Sequence, residues 1–253
     1  MQQFKTSRRL SGAGLAYRLV VTLVNAANYG VPQKRERVFM VGFRADIDAR
    51  WSFPGETHSL EALIHDQWVS GEYWDRHALS IADRPPIPTG LVPVIARLRG
   101  LGLWPTTAPW QTVRDALIGL PEPGVSGGRV LNHRLQAGAK VYSGHTGSPL
   151  DLPAKTLKAG GHGVPGGENM MVRTDGSVRY FSVRESARLQ TFPDGYELHG
   201  AWGEAMRQLG NAVPVRLAQV VASSVAEHLV LADMRRAKAP SLVHRAGQTE
   251  SIA

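Results

Sequence analysis

The chain has 253 residues, a formal net charge of +8 and no cysteine. This length allows one or two domains with a real hydrophobic core, and the composition is that of a globular protein. The missing cysteine excludes disulfides, thiolate metal sites and a cysteine nucleophile within this chain. The surplus of positive charge favours a polyanionic partner, with nucleic acid as the first candidate.

The charge is uneven along the chain. Residues 1–44 carry eight Lys or Arg residues and one acidic residue, Glu36. No apolar run approaches the length of a membrane span, and the N-terminus lacks a signal-peptide core. We therefore expect a cytoplasmic protein with no membrane partner.

The first predicted elements are two strands. Residues 15–25 are rich in aliphatic and β-branched side chains, a turn follows at Tyr29–Pro32, and a second apolar run covers residues 37–43. So tight a return predicts an antiparallel pair at the edge of a larger sheet. Two strands alone are marginal in water, so the rest of that sheet must come from elsewhere.

A basic segment, Gln33–Arg37, enters the second strand. In an extended chain, Gln33, Arg35 and Arg37 would lie on one side, which would present two guanidinium forks and an amide to a planar polar target. The alternative is a solvated charge run at the mouth of a strand.

The middle of the chain differs in amino-acid composition from the two ends. It holds five of the six tryptophans and most of the prolines, with one short helix predicted over residues 111–120. Two glycine-dense stretches, 144–149 and 159–167, fit neither a P-loop nor a dinucleotide fingerprint, and ordinary surface loops are the alternative for both. The histidines here have no acidic or sulfur partner at ligand spacing, so we expect no metal site.

Three helical segments are predicted near the C-terminus. A short helix begins near Arg184 and breaks at Pro193, with Arg188 on the same face as Arg184. A second covers residues 204–209, and a longer one runs from Pro214 to about residue 231. The polar stretch 234–253 has no periodicity and is predicted to be a disordered tail.

Three blocks in this order resemble conserved motifs eight, nine and ten of the DNA (cytosine-5) methyltransferases. They are Tyr29–Arg37, Arg184–Asp194 and Gln208–Pro214. The resemblance implies an α/β fold with part of a Rossmann-like class I methyltransferase sheet and a loop-rich target recognition domain. It divides the chain into catalytic strands (1–46), a recognition domain (47–179), the returning motifs (180–233) and the tail (234–253).

The family's chemistry accounts for the basic segment. Family members flip cytosine out of duplex DNA, attack it with a cysteine thiolate and transfer a methyl group from S-adenosyl-L-methionine to carbon five. The resemblance implies that Arg37 contacts the base oxygen and stabilises its developing negative charge, with Arg35 beside it and Gln33 in the local polar network.

The other motifs imply further contacts. Asn211, Ala212 and Val213 match the turn that closes over the methionine part of the cofactor; the family often has serine in place of Ala212. Arg184 and Arg188 are expected to be structural first and DNA-contacting second.

The recognition domain implies the remaining DNA contacts. Thr156 and Leu157 resemble the Thr-Leu pair beside the family's base-reading loops. This makes Lys155, Thr156, Lys158, His162 and Arg173 the candidates for contacts with double-stranded DNA, with solvated loop charges as the alternative.

The family's first half is missing, including the cofactor-binding loop and the cysteine segment. Covalent attack therefore cannot originate in this chain. One hypothesis is a split enzyme, whose partner chain carries the missing motifs. The alternatives are a non-catalytic DNA-binding or regulatory remnant of a methyltransferase, and a basic protein unrelated to methylation.

Overall fold

The computed structural model describes residues 3–4, 16–102, 104–124, 130–143, 146–159 and 169–238. The strands are β1 (Gln3–Phe4), β2 (Tyr17–Asn25), β3 (Glu36–Arg44), β4 (His58–Ser59), β5 (Ala108–Pro109), β6 (Ser148–Pro149), β7 (Met170–Val172) and β8 (Val178–Tyr180). The α-helices are α1 (Leu60–His65), α2 (Glu72–Arg76), α3 (Val92–Leu101), α4 (Val113–Leu117), α5 (Val183–Leu189), α6 (Trp202–Asn211) and α7 (Val215–Lys238). This mixture of small sheets and helices confirms the α/β class.

The predicted strand pair is confirmed as β2 and β3, in a sheet of order β1-β2-β3. The Ala26 N–H donates to the Arg35 carbonyl at 2.9 Å, and the Ala45 N–H donates to the Ala16 carbonyl at 2.8 Å. Residue numbers that rise on one strand as they fall on the other define an antiparallel pair. Between the strands, Gly30 has φ of 76° in a left-handed conformation that favours glycine.

The chain forms two compact units by contacts between residues. The first takes residues 23–38 and the described part of 55–220, and the second takes residues 3–4, 16–22, 39–54 and 221–238. These units do not follow the predicted domain boundaries, which stay a prediction. In the first unit, the main core joins helices α4, α5 and α6 to β7; its buried members include Val113, Leu157, Met171, Phe181, Leu189 and Leu209.

The second unit has its own aromatic cluster. Trp51 packs edge-on against Phe53 at a ring separation of 5.7 Å and lies 6.3 Å from Phe43. Its indole N–H donates to Ser224 Oγ at 3.0 Å. Trp51 was expected in the recognition domain, but here it packs with residues of β3 and α7.

Two helix ends differ from their predicted positions. Helix α4 is short, because Thr112 starts it with a capping box and Ile118 already leaves the helical conformation. Helix α7 continues to Lys238, so residues 234–238 are not the start of a disordered tail, and 239–253 lie outside the described residues. The last turn of α7 is basic, and cations there are stabilised by the helix dipole.

The expectation that no segment is long and apolar enough for a membrane span was wrong for one stretch. The helical stretch 202–238 contains an 18-residue window of mean hydropathy 1.3, of which 11% is buried. This window is long and apolar enough for a membrane span by length and composition only. Two polar residues, Glu227 and His228, lie in the middle of α7.

Thr191 connects the end of α5 to the start of α7. It has φ of 59°, and its N–H donates to the Arg188 carbonyl while the Phe192 N–H donates to the Ala187 carbonyl. This is a Schellman ending, where glycine is usual. Thr191 Oγ1 also accepts from the Arg216 N–H at 2.9 Å, so the hydroxyl caps α7. The second role explains why a strained threonine stands at a glycine position.

Thr191→Val is expected to lower the free energy of unfolding by about 1 kcal/mol, because the strain stays and the helix cap is lost. Thr191→Gly should be close to neutral, since relief of the strain offsets the lost cap. Urea unfolding midpoints at an unchanged slope would measure both. A valine variant as stable as the parent would show that the hydroxyl is not a cap.

Candidate functional site

The basic segment lies against the stretch Ala154–Ala159, here named the recognition segment. The two run parallel at Gln33 and Ala154. The Lys34 N–H donates to the Ala154 carbonyl at 2.8 Å, and the Ala154 N–H donates to the Pro32 carbonyl at 2.9 Å. Thr156 Oγ1 then donates to the Lys34 carbonyl at 2.7 Å. The expected DNA-reading stretch is thus fixed to the first motif by backbone hydrogen bonds.

Gln33 and Arg35 are both buried, at 0% and 3% exposure. Gln33 Oε1 accepts from the Leu157 N–H at 3.2 Å. Arg35 Nη1 donates to the Leu157 carbonyl at 3.2 Å, and Nη2 donates to the Gly210 carbonyl at 2.8 Å. Burial, followed by the charge of Arg37, lowers the pKa of Arg35 to about 10. These two side chains organise the interior of the site.

Arg37 behaves differently from the other two. It is exposed, and its Nη1 donates to the Glu36 carbonyl at 2.7 Å. The predicted common face therefore separates into two buried connectors and one guanidinium at the surface. Lys34 is also exposed, on the other side of the extended segment.

Gly210 lies against the recognition segment. A Cβ atom there would meet the backbone of Ala159 and stand 2.6 Å from the Lys158 carbonyl carbon. No side chain fits in that space without moving the backbone. A glycine inside a helix destabilises it by about 1 kcal/mol relative to alanine, so its presence in α6 indicates a close backbone contact.

The expected cofactor turn follows directly. Helix α6 ends at Asn211, and the Ala212 N–H closes it on the Gln208 and Leu209 carbonyls. Asn211 is exposed and Val213 is 48% exposed. An exposed amide and an exposed apolar side chain fit one edge of a ligand site.

The side chain of Arg184 lies in the protein interior, and its DNA contact stays a prediction. It is 0% exposed, and its guanidinium donates to the carbonyls of Leu131, Pro193 and Tyr196 at 3.0, 3.1 and 2.7 Å. Burial lowers its pKa. It ties α5 to the backbone at Leu131 and to the turn that contains Pro193 and Tyr196.

Arg188 is also occupied by internal contacts. It pairs with Asp194 at 2.6 Å and donates to the Ala116 and Ile118 carbonyls at 3.2 and 2.7 Å. Its side chain is 20% exposed. Its DNA contact stays a prediction, and its present contacts are structural.

The other DNA candidates lie in different places. Lys158 is exposed, and its backbone is held by Asn169 through two hydrogen bonds of 3.2 Å. Lys155 is half-buried, with Nζ 2.7 Å from Thr146 Oγ1. Arg173 pairs with Glu122 at 2.7 Å. His162 lies outside the described residues.

Sequence reasoning missed three buried connectors. Asn169 holds the Lys158 backbone, Gln190 Nε2 donates to the Leu209 carbonyl at 2.8 Å, and His133 joins Ser182 Oγ and the Pro121 carbonyl at 2.8 and 2.6 Å. Each works through a backbone contact distant in sequence, which a pattern of residue types does not report. Among the described residues, no group of three acidic, histidine or cysteine side chains is placed to hold a metal ion.

Comparison with known proteins identifies relatives of about twice this length. The chain is 31% identical over 217 residues to Type II methyltransferase M.AplI of Arthrospira platensis, covering 83% of this chain and 48% of the relative. It is 30% identical over 240 residues to M.BsuRI of Bacillus subtilis, with coverage of 85% and 43%. For M.HhaI of Haemophilus parahaemolyticus, identity is 28% and coverage 85% and 55%. The chain thus spans about half the length of these curated relatives.

Solved structures give a weaker likeness. The Dnmt2 methyltransferase of S. pombe matches with a TM-score of 0.47 and 16% identity, over 85% of this chain and 58% of that one. The EhMeth methyltransferase of Entamoeba histolytica matches with a TM-score of 0.39 and 12% identity, with coverage of 86% and 54%.

The sequence model of one protein family matches two segments of the chain. It is described as C-5 cytosine-specific DNA methylase and covers residues 5–76 and 132–227. These ranges contain all three motif blocks and leave out residues 77–131 between them. The match extends over more than half of the chain, and the chain therefore belongs to the C-5 cytosine-specific DNA methylase family.

Proposed function

We propose that this chain supplies the target recognition part and the cytosine-pocket arginine of a DNA (cytosine-5) methyltransferase. One observation carries the proposal: the exposed guanidinium of Arg37 follows a buried Arg35 that is bonded to both the recognition segment and Gly210. The first motif is thus held between the stretch expected to face DNA and the turn expected to face the cofactor.

In this proposal Arg37 acts directly on the target base. Attack on the cytosine ring places negative charge on the ring and its exocyclic oxygen. A fixed guanidinium that donates to this oxygen stabilises the charge as it develops, without reorganisation of solvent. Arg35 and Gln33 hold the strand in position rather than touch the base, because their polar atoms are turned toward backbone groups of the protein.

S-adenosyl-L-methionine would supply the methyl group. The residues present fit one edge of its site: Asn211 offers an amide, Val213 offers an apolar contact, and Ala212 offers its backbone. The side-chain hydroxyl that relatives often have at the position of Ala212 is missing, so only backbone contacts are proposed there.

Double-stranded DNA would lie against the recognition segment, on the side where Lys158 is exposed. Lys155, Thr156 and Lys158 occupy it directly, while Arg173 and His162 are proposed for the flanking loops. Lys and Arg at such positions bind phosphates or guanine edges.

The nucleophile would come from a partner chain that carries the family's cysteine segment. Two observations support this: these 253 residues contain no cysteine, and the described part of the chain leaves apolar side chains exposed. The exposed side chains include Val38 and Met40 on β3, at 57% and 69%, and Val230, Leu231 and Met234 on α7, at 51%, 47% and 56%. Burial of such groups favours association.

We propose that the partner chain, and not lipid, covers α7. Glu227 and His228 lie in the middle of that helix, where charge would be costly in a bilayer. The family match also continues to residue 227, so the first half of α7 lies within the matched methylase region. A cytoplasmic location follows from a DNA substrate.

Mixing experiments test the split enzyme. The purified chain, a second chain carrying the missing motifs, and the two together are each incubated with duplex DNA and methyl-labelled S-adenosyl-L-methionine. Transfer is expected only in the mixture, because nucleophile and recognition part are on different chains. DNA binding without transfer in every combination would contradict the split enzyme and favour a regulatory DNA-binding remnant, for which the missing cysteine is the supporting observation.

A further inference from the structure

We propose that Arg35 is a positioning residue that couples DNA binding at the recognition segment to cofactor binding at the turn Gly210–Pro214. That these two stretches bind DNA and the cofactor rests on the function proposed above. The mechanical link between the stretches is independent of that function and can be measured in the chain alone.

The link consists of two hydrogen bonds made by the Arg35 side chain. Two nitrogens of one guanidinium donate to carbonyls 53 residues apart in sequence, Leu157 at 3.2 Å and Gly210 at 2.8 Å. The guanidinium is planar and rigid, so the two carbonyls keep a fixed separation while both bonds last. If one stretch moves relative to the other, one of the two hydrogen bonds of Arg35 must therefore break.

The cost of breaking the link is raised by burial. Arg35 is 3% exposed, and its Nε atom has no partner among the described atoms. Its pKa is lowered to about 10 but remains far above neutral, so the buried group stays charged. Carbonyl oxygens are its hydrogen-bond acceptors, and losing either leaves more of a buried cation unsatisfied.

A second contact acts in parallel. The backbone of Gly210 touches that of Ala159 and Lys158 with no room for a side chain. The hydrogen bonds oppose separation and the backbone contact opposes closer approach. Together they allow the two stretches to move only as one body.

Neighbouring side chains provide matched controls. Gln33 holds the Leu157 N–H but has no bond to the turn. Gln190 holds the Leu209 carbonyl but has no bond to the recognition segment. Gln33 therefore holds the recognition segment, Gln190 holds Leu209 directly before the turn, and Arg35 bonds to both stretches.

Amide hydrogen exchange of the full chain tests the link. Arg35→Met is expected to raise exchange about tenfold or more at both 157–159 and 210–213, since each loses a hydrogen bond that restrains local opening. Gln33→Met should affect the first stretch only, and Gln190→Met the second only. Faster exchange at one stretch alone in Arg35→Met would overturn the link. If Arg35→Met does not fold, Gly210→Ala serves instead: faster exchange at 157–159 supports the link, and unchanged exchange there overturns it.

A binding cycle tests the coupling itself. In the two-chain complex, affinity for S-adenosyl-L-methionine is measured with and without duplex DNA. DNA is expected to raise it about 5- to 150-fold, and Arg35→Met should reduce that factor to nearly one while each ligand still binds alone. Gln33→Met should keep the factor. A factor unchanged in Arg35→Met would refute the coupling, whereas failure of the parent complex to bind either ligand would instead count against the proposed function and leave the exchange experiment to decide the link.

Discussion

Arg37→Ala is expected to lower the rate of methyl transfer by the two-chain complex by about 10²- to 10³-fold while duplex binding stays largely intact. A donor aimed at charge that develops in the transition state contributes on this scale. Arg37 is the one member of the basic segment's three predicted site residues that reaches the surface, since Gln33 and Arg35 are buried. Its guanidinium can therefore meet a flipped base without unfolding the strand.

Single-turnover methyl transfer and equilibrium DNA binding, measured on the same preparation, separate the possible roles. Arg37→Lys should recover only part of the rate, because an ammonium lacks the planar fork. Lys34→Ala is the matched control: Lys34 is an exposed neighbouring cation on the other side of the segment, so its loss should weaken binding slightly and leave the chemical step unchanged. Equal losses of transfer and binding in Arg37→Ala would identify Arg37 as a phosphate contact.

Arg184→Met is expected to destabilise the chain by about 1–3 kcal/mol, the cost of a buried polar contact that is lost. The carbonyls of Leu131, Pro193 and Tyr196 would lose the donor that a fully buried guanidinium supplies through part-buried hydrogen bonds. Removing the buried charge recovers part of this cost, because the cation itself was desolvated. The effect should nevertheless exceed that of any surface arginine.

Urea unfolding of Arg184→Met beside Arg207→Met would measure this. Arg207 pairs with Glu204 three residues earlier, with side chains 54% and 46% exposed, and such pairs contribute about 0–1 kcal/mol. A loss in Arg184→Met no larger than in the control would mean that the three carbonyls find other donors. Loss of DNA affinity with unchanged stability would restore a direct DNA contact for Arg184.

The motif that reads as one basic cluster thus has two layers of function in the proposed enzyme. The buried layer, Gln33 and Arg35, connects backbone segments. The exposed layer, Arg37, is left for chemistry. In the second motif, Arg184 and Arg188 likewise make internal contacts, with backbone carbonyls and with Asp194.

Several features were predictable from sequence because they depend on neighbours along the chain. The strand pair followed from two runs rich in apolar residues on either side of a Gly-Val-Pro turn, and α5, α6 and α7 followed from periodicity and from Pro214. The order of the three motif blocks was enough to identify the family. Composition alone established that these 253 residues contain no thiol.

Only the tertiary structure decided which polar side chains face the interior. Arg35 and Arg37 are two residues apart on one extended segment, yet one bonds to Leu157 and Gly210 and the other reaches solvent. Thr191 takes a left-handed conformation because helix α7 needs its hydroxyl, and Gly210 is glycine because Ala159 lies against it. In each case the deciding partner is distant in sequence, and hydrogen bonds and steric contacts act over a few ångströms of space regardless of separation along the chain.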